Sequence, residues 1–358
     1  MTNRQRFINT ALCKDTDRPP FFFYLGPWGE TIRKWRNEGL DRRTDWRDIF
    51  GFDPGIEVVK VNLGYSPEFE KIIIEEKETT LIIRDECGIT MECRKSGSSI
   101  PRFIDYPIKT ADDWESMKRE RLDPDDPNRF PENWIELADN YNNGEKVIQL
   151  GSHPYGLFGT LRDMMGLEEL AVAFHERPEL IRDMMDYLTD FWLSIYKKVC
   201  GDVKVDMIHI WEDMSGKQGS LISPAMIREF MMPNYRKIKA FADAHGVQVI
   251  SLDTDGNVYE LVPLFMECGI NLMFPFEVAA GCDINQYREK YPELCIMGGI
   301  DKREIAKGRE AIDRELDRIG SMFESNGYIA AMDHLVPPEV SWDDFKYFVF
   351  KLKSMIGG

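Results

Sequence analysis

Carboxylates in this sequence gather where apolar, β-rich runs stop. Residues 207–211 run into Glu212 and Asp213, and residues 247–252 run into Asp253-Thr254-Asp255-Gly256. A carboxylate at a strand end is costly to desolvate unless it meets a cation, a donor or water, so this grouping points to binding or proton transfer. Asp253 and Asp255 are two apart and share a face if the strand continues, which lets both reach one cation. The D-T-D-G-N string also reads as a turn whose Asp caps the next helix. With Glu212 and His334 the two aspartates make an oxygen and nitrogen ligand set suited to a divalent metal: zinc first, then manganese or iron. Asp255, His334 and Glu212 are equally candidates for acid/base catalysis. Trp28, His153, Asp213, Glu277 and Asp333 stand at other run ends and are the candidate substrate contacts. His334 precedes Leu335-Val336-Pro337-Pro338 and so sits on a loop, where an ordinary hydrogen-bonded surface histidine is the alternative. His209 lies inside a run and reads as core or barrel lining, and the aromatics 21–24 read as core.

Such residues need a scaffold that brings distant strand ends to one rim. Strands are predicted over 21–25, 56–61, 147–151, 207–211, 247–252, 270–275, 294–297 and 327–331. Helices are predicted between them, over 167–175, 178–199, 224–244, 258–268, 283–290, 302–326 and 342–355. The helix over 224–244 begins at Ser223-Pro224, a cap followed by proline in the first turn, and stops at His245-Gly246. Eight parallel-type strands with interleaved helices is the count of a TIM-type (β/α)8 barrel, and one α/β barrel domain is predicted over 1–358. Its site then lies at the carboxyl ends of the strands. Residues 69–106 break the pattern by alternating β-formers with charges, which predicts a β-hairpin excursion. No G-x-G-x-x-G follows the first run, which speaks against a dinucleotide-binding sheet.

The net charge of −17 excludes a nucleic-acid partner, whose phosphates need clustered Lys and Arg, and disfavours an anionic membrane surface. No apolar run approaches the roughly 20 residues that cross a bilayer. The first residues carry no apolar signal segment, and the seven cysteines are odd in number and dispersed, so reduced thiols and a cytoplasmic location are expected.

Several segments together carry a family resemblance. They are Arg18-Pro19-Pro20, G-S-L-I-S-P-A-M-I-R-E-F-M-M-P at 219–233, A-H-G-V-Q-V at 244–249, G-G-I-D at 298–301 and G-Y-I-A-A-M-D-H at 327–334. Through them the chain resembles the uroporphyrinogen decarboxylase superfamily over nearly its whole length. The resemblance implies a (β/α)8 barrel, a homodimer and one of two activities. One is porphyrinogen decarboxylation; the other is methyl transfer between a corrinoid protein and a thiol or methoxy compound. Decarboxylases of the family follow R-P-P with an arginine-bearing M-R-Q-A-G-R loop, where this chain has Tyr24-Leu25-Gly26-Pro27-Trp28-Gly29. Their acid after the second strand is replaced by Asn62 or its neighbours, and only His334 matches their histidine. The thiol methyltransferases place H-x-C after the fifth strand, where this chain has Asp253-Thr254-Asp255. The expectation is a methyltransferase taking a small-molecule substrate and working with a corrinoid carrier on a partner protein. Decarboxylation of a small carboxylate, or ligand binding without catalysis, are the alternatives.

Overall fold

Short β-branched runs bounded by glycines and acids become strands in the computed structural model, which describes residues 1–96 and 100–357. In chain order they are β1 (Ile56–Val58), β2 (Ile72–Glu76), β3 (Thr80–Arg84), β4 (Thr90–Arg94), β5 (Arg102–Asp105), β6 (Val147–Leu150) and β7 (Met207–Trp211). The two-residue pair β8 (Ser215–Gly216) and β9 (Gly219–Ser220) follows, then β10 (Val249–Asp253), β11 (Leu272–Phe274), β12 (Cys295–Ile300) and β13 (Tyr328–Met332). Seven of them form a parallel sheet in the order β1-β6-β7-β10-β11-β12-β13, with helices in the connections, as in a TIM-like barrel. Between β1 and β6 the chain leaves this pattern for the antiparallel sheet β2-β3-β4-β5; residues 97–99 of that excursion lie outside the described residues.

Strands β6, β7, β12 and β13 are buried on both faces, which is why they read as continuous apolar runs. One face packs on the helices. The other lines the interior, where Val147, Met207, Val249, Leu272, Met297 and Ile329 meet Phe7 and Ala11 of the N-terminal helix Asn3–Ala11. That helix is anchored by Arg4, 2.6 Å from Asp206, whose carboxylate also accepts the Ile148 N–H at 2.8 Å.

The eighth strand, expected over 21–25, is not formed. The segment lies alongside the sheet, but Pro20 and Pro27 lack amide donors and cannot extend a ladder. Asp53 takes the place of a neighbouring strand: its carboxylate accepts from Phe21 N–H at 2.9 Å and its own N–H donates to Phe21 C=O at 2.8 Å. Among the described residues a single parallel bridge, between Pro27 and Val336, stands where a ladder to the chain following β13 would run, while Phe23 packs on Phe345 and Phe348. The sheet is therefore open between this segment and β1.

Helix bounds differ where capping overrides periodicity. The expected 224–244 helix begins with Ser223 accepting from Met226 N–H, widens to a π-turn over Ile227–Met231 and continues as Met232–His245. The expected 302–326 helix divides into Lys302–Ile305, Arg309–Arg318 and a 3-10 turn Gly320–Glu324. Helices Trp134–Asn143 and Leu157–Met165 were not expected. No helix among the described residues is long and apolar enough to cross a membrane.

Candidate active site

Side chains on a strand alternate between faces, so residues in step with Met207, Val249 and Val147 also face the barrel interior. Those residues are His209, Ser251 with Asp253, and Gln149. Two of these four polar groups, His209 and Asp253, line a cavity of about 620 Å³, with Ser251 bonded behind His209. The cavity runs along the open seam; among its lining residues are Tyr24, Trp46, Phe52, His153, His209 and Asp253.

Asp253 ends β10 with its side chain 16% exposed, its carboxylate 4.0 Å from His209 Nε2. Burial, with the negative charges of Asp255 and Asp213 nearby, pushes its pKa well above the usual carboxylate range. His209 is deeply buried, and burial lowers its pKa to about 3, so the imidazole is neutral. Its Nδ1 lies 2.8 Å from Ser251 Oγ, which has the Ile208 carbonyl within 3.4 Å for its own proton. The tautomer with its hydrogen on Nδ1 satisfies this network and turns the Nε2 lone pair toward Asp253. The floor thus sets a carboxyl group whose acid form is favoured 4.0 Å from a neutral imidazole. His153 packs edge-on against Trp211 at 4.5 Å, and burial lowers its pKa too.

The expected residues separate into groups. Asp255 and His334 form a second pair nearer the mouth, with His334 Nε2 3.6 Å from Asp255 Oδ2. Glu212 turns away from both pairs. It is fully buried, accepting from the N–H groups of Leu157, Phe158 and Gly159 at 2.9, 2.6 and 3.3 Å and from Tyr235 O–H at 2.6 Å. Burial raises its pKa to about 7 against these four donors. It holds the N-terminus of helix Leu157–Met165 rather than a substrate. Gly156 makes that approach possible, since a Cβ there would stand 1.8 Å from the Trp211 carbonyl oxygen.

Asp213 sits at φ +41°, a strained value for aspartate, clamped by Arg162 through both its carbonyl at 2.8 Å and its carboxylate at 2.6 Å. Asp333 is fully buried and accepts from Val278 N–H and Lys302 N–H, tying the loops after β11 and β12; burial raises its pKa to about 6. Glu277 accepts from Gly256 N–H at 3.0 Å and lies 3.5 Å from Lys302 Nζ. Trp28 is 36% exposed and starts helix Gly29–Asn37 outside the cavity lining.

The four expected metal ligands are therefore not gathered: Asp253 pairs with His209, Asp255 with His334, and Glu212 is enclosed. Among the described residues no group of three or more His, Cys, Asp or Glu side chains is placed to hold a metal ion. The residues present do not fit the expected metal centre. His209 is the buried, hydrogen-bonded interior residue that the sequence led one to expect, whereas Ser251, Gln149 and Tyr24 were not singled out as polar groups of the interior. Their signal is parity: His209, Ser251 and Gln149 interrupt the interior face of otherwise apolar strands.

Residues 70–355 match the family model described as uroporphyrinogen decarboxylase (URO-D). No curated protein matches the sequence. Among solved structures, a methyltransferase from Methanosarcina mazei superposes with a TM-score of 0.59 at 13% identity, covering 99% of each chain. At that identity the likeness is one of fold. A B12-independent methionine synthase from Shewanella sp. W3-18-1 in complex with selenomethionine gives a TM-score of 0.40 at 8% identity, over 64% of this chain and 67% of that one.

Proposed function

Because the chain belongs to the uroporphyrinogen decarboxylase family, we propose that it is a methyltransferase, taking a methyl group from a small molecule to a corrinoid on a partner protein. The observation that carries this reading is the floor of the cavity, where Asp253, its acid form favoured by burial, lies 4.0 Å from a neutral His209. When a methyl group leaves a heteroatom, the carbon–heteroatom bond breaks and the heteroatom keeps the bonding pair. The acceptor's electron pair takes the carbon, and the departing heteroatom needs a proton. Asp253 is the group with a proton to give, and the cavity wall presents it beside the neutral His209. Loss of that proton leaves a carboxylate that bulk water restores between turnovers.

Decarboxylation of a small carboxylate draws no comparable support. It calls for a cation to hold the substrate's charge, whereas the two basic residues lining the cavity already face acids. Arg47 lies 3.3 Å from Asp45, and Lys146 lies 3.6 Å from Glu57.

The test is transfer to free cob(I)alamin from a panel of O-, S- and N-methyl compounds, with methylated product measured for wild type and Asp253→Asn. Activity with at least one donor, reduced about 10²- to 10⁴-fold by the substitution, is expected for a general acid. Carbon dioxide release from a small carboxylate, with no methyl transfer from any donor, would overturn the reading.

A further inference from the structure

Tyr24 lines the same cavity as Asp253 and His209. Its ring packs edge-on to Phe274 at 5.2 Å and tilts across His209 at 5.7 Å, which fixes where the hydroxyl stands. The phenol oxygen accepts a hydrogen from Gln149 Nε2 at 3.3 Å, and the same amide nitrogen donates to the Gly151 carbonyl at 2.8 Å. Gln149 is completely buried, so its amide has little freedom to turn. With one lone pair of Tyr24 engaged by Gln149, its proton can turn into the cavity that the ring lines. Burial, opposed by the Gln149 bond, raises the phenol to about 12, so the hydroxyl keeps that proton at neutral pH. A half-buried donor held at a cavity wall is one that a ligand's acceptor can satisfy.

We propose that Tyr24 is a second hydrogen-bond donor of the site, aimed at the heteroatom that gives up its methyl group, with Gln149 as the residue that positions it. The inference rests on the methyl-transfer reading. Two neutral donors, Tyr24 and Asp253, match a heteroatom bearing lone pairs and share the negative charge that develops as its bond to carbon breaks. A quaternary ammonium, which has no lone pair, is not complemented by this floor.

The experiment uses 4-nitrophenolate as a mimic of a departing oxyanion, because its absorption band moves when the oxygen is hydrogen-bonded. Wild type, Tyr24→Phe, Gln149→Leu and the double variant are titrated, with melting temperatures recorded beside each. Tyr24→Phe keeps the ring that packs on Phe274. It is expected to weaken binding about tenfold, equivalent to about 1.4 kcal/mol, and to lose the band shift. Gln149→Leu is expected to weaken binding by less, and the double variant to bind no worse than Tyr24→Phe, because Gln149 acts through Tyr24. Binding by Tyr24→Phe within twofold of wild type, or no binding by wild type, overturns the assignment. Probe binding requires no turnover. A protein that binds through Tyr24 yet methylates no cob(I)alamin overturns the functional reading alone.

Discussion

At the scale of residues, Asp253 is placed where its protonated form is favoured, and two predictions follow from the sign of that shift. The reactive form is the acid, so the rate of methyl transfer is expected to fall as pH rises through the elevated pKa of Asp253. A rate that instead rises over that range would assign the proton-donating role elsewhere. The same shift governs stability in the same direction. The folded chain holds this proton more tightly than the unfolded one, so the contribution is present in full below the unfolded pKa near 4 and is lost as pH climbs through the folded pKa. Asp253→Asn is therefore expected to melt higher than wild type at alkaline pH while turning over far more slowly. Melting curves at two pH values check this; a variant that melts lower at both would point to a structural role.

At the scale of elements, Glu212 shows how a strand end orders the next layer. Its carboxylate accepts from three consecutive backbone amides at the start of helix Leu157–Met165 and from Tyr235 on helix Met232–His245. Glu212→Ala would leave four buried donors without an acceptor, a loss of roughly 3 kcal/mol or more. Chemical denaturation is expected to show it as a lower midpoint with an unchanged slope. Wild-type stability in the variant would mean that water or another side chain takes over the four donors. Asp333 does the same on a smaller scale, with two amides from two loops.

At the scale of the whole molecule, the open seam determines the shape of the cavity. The backbone of the segment over 21–25 is hydrogen-bonded through Asp53, which also receives Arg18 in a two-pronged contact at 3.0 and 2.6 Å. Asp53→Ala is expected to speed amide exchange at Phe21 while leaving β7 and β10 as protected as in wild type, a local opening rather than global unfolding. Uniform loss of protection across the strands would show that the seam is part of the cooperative core. The two ends of the chain meet beside it, where Trp35 stacks on Phe345 at 4.4 Å and its indole N–H donates to Val340 C=O. Trp35→Ala is expected to cost about 3–5 kcal/mol, read as a lowered melting temperature; a loss below 1 kcal/mol would mean that the closure carries little of the stability.

The alternation of apolar runs with helical stretches, legible from Ile56 to Met355, was enough to indicate an α/β barrel-like fold and a rim where Asp253, Asp255 and His334 reside. Those features are local: periodicity, capping and turn chemistry depend on neighbours a few residues away. Even His209, Ser251 and Gln149 left a trace, as polar residues in step with the interior positions of their strands. What the sequence alone did not settle was which carboxylate would be enclosed, which would face the cavity, and whether residues 21–25 would join the ladder. Glu212 meets amides some 55 positions away, Tyr24 meets Gln149 across 125 positions and Phe21 is satisfied by Asp53 across 32. The partner of a buried polar group is chosen by packing in three dimensions, and the energy of leaving it unpaired makes that choice decisive.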